Sequence, residues 1–327
     1  AWFGTARGTR APAPPARPGM EPPGSALPRI YALAVLSAGS FAQCLDWFTY
    51  SSVEERKVGD YYRGGVWPAD MSPEDLTVRL HLLLNWGPIF GVVCFPLQGW
   101  LLTRPGGLQS TVRIGLSLVA AGAVVRLGPT AAGAWAVGGW PLEAGAVGGS
   151  RHLSLALVHT GQVLNACAGP FLMGCVSRLA VVWFPERQRV AATAIASTAN
   201  GAGVTVAFLL GPWLVPASSD MPSLLCVTAV LAVAPCLCAA AYYPDAPNRP
   251  PSAAAAAWAD EPGADEYGFV AGLRRVLADR NYGMLVAAAG ILAGAGSAWL
   301  GVLHDLLPAS YSDTFVGYLG FLNSVGT

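Results

Sequence analysis

Of the chain's 327 residues, 54% are hydrophobic and only 12% are charged, and the mean hydropathy is +0.47. Soluble domains carry about a quarter charged residues, so this chain cannot clothe a water-exposed globule and needs lipid as its solvent. Nineteen basic and nineteen acidic residues cancel, which leaves no basic footprint for nucleic acid.

In chain order, the stretch before Ile30 is Pro/Ala-rich and basic (Ala11-Pro-Ala-Pro-Pro-Ala-Arg-Pro18) and lacks the single apolar core of a signal peptide. It is expected to be a disordered cytosolic tail, residues 1–29. The chain begins without Met and stops inside an apolar run, so a fragment is expected, with Met20 as a candidate start.

A helix needs about 20 mostly apolar residues to cross a bilayer. Seven stretches qualify, at roughly 30–50, 80–102, 110–128, 153–177, 190–214, 223–242 and 283–304, and an eighth opens at Thr314. None has the period of two that a strand needs, and backbone groups in lipid must bond internally, so each is expected to be a helix. All seven cysteines fall inside apolar runs and read as small hydrophobes. With the N-terminus placed in the cytosol, thirteen basic residues lie on that side. Six lie opposite: Arg56, Lys57, Arg63, Arg79, Arg126 and Arg151. That bias favours an N-in chain.

The connector Pro244 to Glu266 is Pro-, Ala- and acid-rich and reads as a disordered linker, followed by a short amphipathic segment, Tyr267 to Ala278, suited to the membrane surface. The expected fold class is therefore an all-α, multi-pass membrane helical bundle. A six-helix unit over 30–242 and a linker over 243–282 precede the first helices of a second unit over 283–327. Six helices, a loop and further helices is the layout of transporters built from two halves.

Several motifs point the same way. Gly99-Trp-Leu-Leu-Thr-Arg-Pro-Gly-Gly107 resembles the major-facilitator loop signature at Gly99, Arg104 and Gly106, with Thr103 in place of its acid and Gly107 in place of a base. The series His159-Thr-Gly-Gln-Val-Leu-Asn165, Ala168-Gly-Pro170, Trp183-Phe-Pro-Glu-Arg-Gln-Arg189 and Ala191-Ala-Thr-Ala-Ile-Ala196 is more specific. With Asn200, Phe208-Leu-Leu-Gly-Pro212 and Leu214-Val-Pro216, it resembles solute carrier family 49 of the major facilitator superfamily. Trp86-Gly-Pro-Ile89 and Gly301-Val-Leu303 favour the branch called disrupted in renal carcinoma 2. The resemblance implies a twelve-helix fold, of which this sequence would stop in helix eight, and alternating-access transport of a small organic solute of the choline, haem or vitamin B6 type. It also implies proton-linked export at the lysosomal membrane, with the plasma membrane as second choice.

In the first span, Gln43, Asp46, Trp47 and Tyr50 fall at i, i+3, i+4 and i+7, one helical face. A polar and aromatic stripe in a lipid-buried helix is expected to face a cavity, and an intramembrane carboxylate is a functional candidate by default. Trp47 and Tyr50 could stack on a cationic or aromatic solute. Alternatively, both rings are interfacial anchors and Asp46 reaches interfacial water. His159, Gln162 and Asn165 in the fourth span, with Asn85 and Asn200, are candidates for solute contact or for interhelical bonding. Asp46 and His159 are the candidate proton-coupling groups. Arg104, Arg178, Glu186 and Arg187 are the expected inward gate, the last three as a salt-bridge cluster. Arg113 and Arg126, at opposite ends of the third span, read as snorkelling side chains. Gly87-x-x-x-Gly91 and Gly290-x-x-x-Gly294 fit close helix approach.

His-Glu-x-x-His, Gly-x-Ser-x-Gly and Cys-x-x-Cys are absent, and four scattered histidines make no metal set. No enzymatic activity, cofactor or metal is expected. The expected partners are a small-molecule solute and the bilayer, with no nucleic acid and no obligate protein partner. One measurement checks the crossing count. Membrane-impermeant labelling of single cysteines should place the Pro244–Glu266 connector on the side opposite Glu54–Asp75; labelling of both from one side would remove the bundle layout.

Overall fold

A computed structural model describes residues 26–63, 66–130, 151–248, 250–252, 269–301, 306–307 and 311–325. Helices α1 (Ala26–Trp47), α2 (Glu55–Tyr62), α3 (Pro73–Leu102) and α4 (Gly107–Leu127) come first. They are followed by α5 (Arg151–Gly174), α6 (Val176–Trp183), α7 (Glu186–Leu214) and α8 (Met221–Ala241). Then come α9 (Phe269–Ala278), α10 (Arg280–Gly301) and α11 (Asp313–Val325). No strand occurs among the described residues. The chain is an all-α bundle, as its composition requires.

Local signals set the ends of these helices. Ser72 caps α3: its hydroxyl accepts from the Asp75 main-chain N–H at 3.1 Å, and Pro73, Glu74 and Asp75 fill the first turn. Gly106 precedes α4 with φ 70°, a left-handed conformation that favours glycine. The glycine matched at this position of the loop signature thus has a backbone reason. The fourth expected span is two helices, broken at Cys175, five residues after Pro170.

Among the described residues, five helical stretches are long and apolar enough to cross a membrane: 73–102, 107–127, 152–183, 186–214 and 218–241. The pair 270–278 and 280–296, bent by 93°, makes a sixth if it counts as one span. The first expected span, 30–50, is not among them. At 22 residues α1 is long enough, but Ser37, Ser40, Gln43 and Asp46 dilute its hydropathy. All four are buried, because α1 packs against α4, α5, α7 and α8. The regular helix also ends earlier than expected, at Trp47, so that Tyr50 lies in the turn that follows.

One core is built around Leu36, Val112, Leu116, Leu172, Leu179 and Ala232. A second gathers the α1–α3 connector, through Val53, Val58, Tyr62 and Trp67, onto Leu76, Leu83, Val158 and Leu224. Large apolar side chains such as Val92, Val93, Val190 and Val230 point outward, the inverted surface that a lipid-solvated bundle presents.

Glycines permit the closest helix approaches, but not at the expected positions. A Cβ on Gly122 of α4 would lie 2.7 Å from the Gly161 carbonyl of α5, and a Cβ on Gly161 would lie the same distance from the Gly122 carbonyl. Gly87 receives the Trp47 indole, whereas Gly91, Gly290 and Gly294 face open space among the described residues. Almost all described side chains of α10 are exposed. Gly122→Leu should therefore force α4 and α5 apart and cost about 1–3 kcal/mol or more by overpacking, read as a lowered melting temperature in detergent. Gly91→Leu should leave the melting temperature within error.

Candidate functional site

The centre of the site is an ion pair. Arg126, in the last turn of α4, and Asp46, in the last turn of α1, are both fully buried. The Arg126 Nη2 lies 2.6 Å from Asp46 Oδ1. Its Nη1 donates to the Asp46 main-chain carbonyl at 2.9 Å and to Gln162 Oε1 of α5 at 3.2 Å. Gln162 in turn donates through Nε2 to the Trp47 carbonyl at 3.3 Å. One guanidinium thus ties three helices together at the point where α1 stops. Two carbonyls at this terminus have no intrahelical partner of the regular kind, and the site supplies them with donors.

Small residues make room for the guanidinium. A Cβ at Gly161 would collide with the Arg126 Cγ. The Tyr50 ring lies 5.8 Å from the guanidinium carbon, a cation–π distance. The Tyr50 hydroxyl meets the Tyr62 hydroxyl at 3.3 Å. Tyr62 stacks edge-on against both Tyr61 and Trp67, at 4.9 and 5.3 Å between ring centres. Burial pushes the Tyr61 hydroxyl up to about 12, so this cap carries no phenolate charge at neutral pH. The α1–α3 connector therefore covers the ion pair with neutral aromatic rings.

A second polar contact lies deeper in α1. Asn165 Nδ2 donates to the Gln43 carbonyl at 3.2 Å, and Gln43 Nε2 donates to the Asn165 carbonyl at 3.4 Å. Asn200 of α7 donates to the Ser40 carbonyl at 3.2 Å. Gln43, Asp46, Tyr50, Gln162 and Asn165 are each at most 3% exposed. They lie between packed helices in this structure, where the sequence pattern had suggested the wall of an open cavity. Trp47 is half-buried, its indole against Gly87 of α3 and near Phe48. Asn85 is exposed and stands apart from this cluster.

His159 is half-buried and accepts at Nδ1 from the Trp86 indole N–H at 3.0 Å. That bond selects the neutral tautomer with the proton on Nε2. Four candidate gate residues were expected. Arg104 is exposed and stacks on Trp100, 4.5 Å from the ring centre. The expected salt-bridge cluster at the α6–α7 turn is not formed. Glu186 and Arg187 are exposed, Arg178 is half-buried, and no ion pair joins them among the described residues. Instead Arg189 closes the turn through the Phe184 and Val181 carbonyls, both at 3.3 Å. His304 and Asp305, which end the seventh expected span, lie outside the described residues.

Arg126 is not the snorkelling side chain that its place near a span end suggests. A snorkelling arginine would keep its head in water; this one has none of its surface exposed. The available signal was the pairing of two opposite intramembrane charges, each otherwise costly.

These features define a polytopic α-helical membrane protein with a buried polar centre among its first helices. The chain is similar to solute carrier family 49 proteins. It is 29% identical to the solute carrier family 49 member 4 homolog of Xenopus laevis over 95% of its own length, and 30% identical to solute carrier family 49 member A3 of Danio rerio over 91%. It is 27% identical over 89% of its length to a Mus musculus protein named choline/ethanolamine transporter FLVCR1. The chain spans 64%, 56% and 50% of the lengths of these relatives respectively. No family model matches it.

Removing one partner of a buried pair strands the other charge and costs about 3–5 kcal/mol. Asp46→Leu and Arg126→Met should each lower stability by that order in detergent unfolding, and the double variant should recover most of the loss. Additive losses in the double variant would show that the two side chains do not act as a pair.

Proposed function

We propose that this chain forms the first half, and the start of the second, of a secondary transporter that moves a small organic solute by alternating access. The supporting observation is the buried polar centre where α1, α4 and α5 meet, in a chain whose relatives include a protein named as a choline/ethanolamine transporter. Trp47 is the best placed solute contact, since it is the member of the α1 stripe that remains half-exposed. A tryptophan face suits a quaternary ammonium or a heteroaromatic ring, the choline- or vitamin B6-like class; haem is the bulkier alternative. Asn85, exposed on α3, and Asn200, half-buried on α7, are assigned as further solute contacts outside the buried centre. Gln43, Asp46, Tyr50, Gln162 and Asn165 would contact one only after α1 moves.

Proton coupling fits Asp46 better than His159. Asp46 faces a cation whose attraction would change on protonation. His159 already uses its Nδ1 lone pair for Trp86, so protonation there would sacrifice that bond. Arg104, Arg178, Glu186 and Arg187 are assigned to the cytosolic mouth, with the N-terminus cytosolic. The proposed division is a tail over 1–29, a six-helix unit over 30–242, a linker over 243–282 and the opening of the second unit over 283–327. The lysosomal membrane is the proposed location and the plasma membrane the alternative. A second reading, a receptor or scaffold of transporter ancestry without transport, is favoured by one observation: most of the α1 stripe is consumed in interhelical contacts.

The test is uptake of choline and of pyridoxine into proteoliposomes, with and without an inward pH gradient. Trp47→Ala should lower uptake about five- to thirtyfold, consistent with a contact worth roughly 1–2 kcal/mol. Asp46→Asn should lose the gradient dependence while keeping binding. Wild-type rates in both variants would remove the assigned site. Absence of uptake of any solute, together with capture of a protein partner, would favour the scaffold.

A further inference from the structure

The lipid-facing side of the α4–α8 pair contains a cleft of about 290 Å³, lined by Arg113, Ser117, Cys236, Ala239 and Ala240. It is far from the Asp46 centre in α4: Arg113 is thirteen residues before Arg126, about 20 Å along the helix. The small side chains of Ala239 and Ala240 leave the space. Exposed apolar residues flank it, Ile114 on α4 and Leu237 on α8, as expected where acyl chains cover the surface.

Arg113 is half-buried, and its Nε donates to the Ala239 carbonyl at 3.1 Å. That single bond is enough to link α4 to α8. Among the described residues no carboxylate lies within ion-pair distance of the guanidinium. The nearby acid, Asp245, is engaged by the Gln109 main-chain N–H at 2.9 Å. The two terminal nitrogens of Arg113 therefore remain as a fork, the geometry that grips a phosphate with two parallel hydrogen bonds. Ser117, one turn further on the same face, adds a hydroxyl 3.9 Å from the Cys236 sulfur.

Depth identifies the ligand. Arg113 is six residues inside α4 and Ala239 two residues inside the end of α8, which is about 9 and 3 Å at 1.5 Å per residue. The Arg113 side chain reaches the Ala239 carbonyl, close to the end of α8, and a snorkelling arginine there can carry its guanidinium to the headgroup boundary. We propose that this cleft binds the phosphate headgroup of an anionic phospholipid, with the Arg113 fork on the phosphate and Ser117 on its oxygens or the glycerol. Basic clefts between membrane helices take such headgroups.

The test uses the full chain in phosphatidylcholine nanodiscs, with and without phosphatidylglycerol. The lipid retained after transfer to detergent is then weighed by native mass spectrometry. Wild type should retain phosphatidylglycerol in preference to phosphatidylcholine. Arg113→Gln should lower that retention about tenfold, the worth of one charge-assisted bidentate contact. Ser117→Leu, which fills the cleft from an exposed position and leaves the guanidinium in place, should do the same. Arg56→Gln, on an exposed residue outside the cleft, should change nothing. Equal retention of the two lipids, or unchanged retention in Arg113→Gln or Ser117→Leu, would overturn the proposal. Displacement of the bound lipid by millimolar inorganic phosphate would also overturn it, because the site would then be one for free phosphate.

Discussion

The Asp46–Arg126 pair is the constraint around which the first helices are organised. A charge taken out of water costs several kcal/mol, and here two are taken out together with none of their surface exposed. The arrangement persists only because each is supplied with partners: the carboxylate by the guanidinium, and the guanidinium by two further oxygens and a tyrosine face. Because one of those oxygens is the main-chain carbonyl of Asp46 itself, the contact fixes the helix terminus as well as the side chain. In the proposed transporter, this contact is therefore what holds α1 against α4 and α5, and α1 can move only when it breaks.

The chain above the pair serves the same end. The α1–α3 connector could have been a loose loop, yet Val53, Val58, Tyr62, Val66 and Trp67 are buried in it. Lys57 reaches across to the Val215 carbonyl beyond α7 at 3.4 Å. The connector is thus held at two places and shields the pair from water at the end of α1. A low local dielectric strengthens the attraction inside and raises the cost of any unpaired group, so cap and ion pair support each other.

Much of the architecture was legible in the sequence, because lipid imposes a coarse rule: runs of about 20 apolar residues become helices. The apolar stretches and the amphipathic segment before α10 follow from such patterns, and the similarity to solute carrier family 49 from short motifs such as His159–Asn165 and Trp183–Arg189. What did not follow depended on which residues meet across helices. Gly122 and Gly161 lie 39 residues apart, and no spacing rule pairs them, whereas the neat Gly87-x-x-x-Gly91 pattern is only half used. The α1 stripe was readable as one face, but periodicity cannot say whether that face meets water, solute or another helix. Arg126 was misread for the same reason: a basic residue near a span end looks like an interfacial anchor until its partner is known. The Glu186 cluster was inferred from proximity in sequence, and the turn is closed by carbonyl contacts of Arg189 instead.

The modest apolarity of α1 has a consequence for biogenesis. Its partner cation arrives 80 residues later in the chain, after α3 has been made. Until then Arg126 cannot pair with the Asp46 carboxylate, which sits in the last turn of α1, where burial costs less than the roughly 2.5–3.5 kcal/mol of a helix centre but is still unfavourable. The first helix is thus settled in lipid by a neighbour synthesised later, which makes membrane integration of this bundle a cooperative event spanning four helices rather than a one-by-one threading.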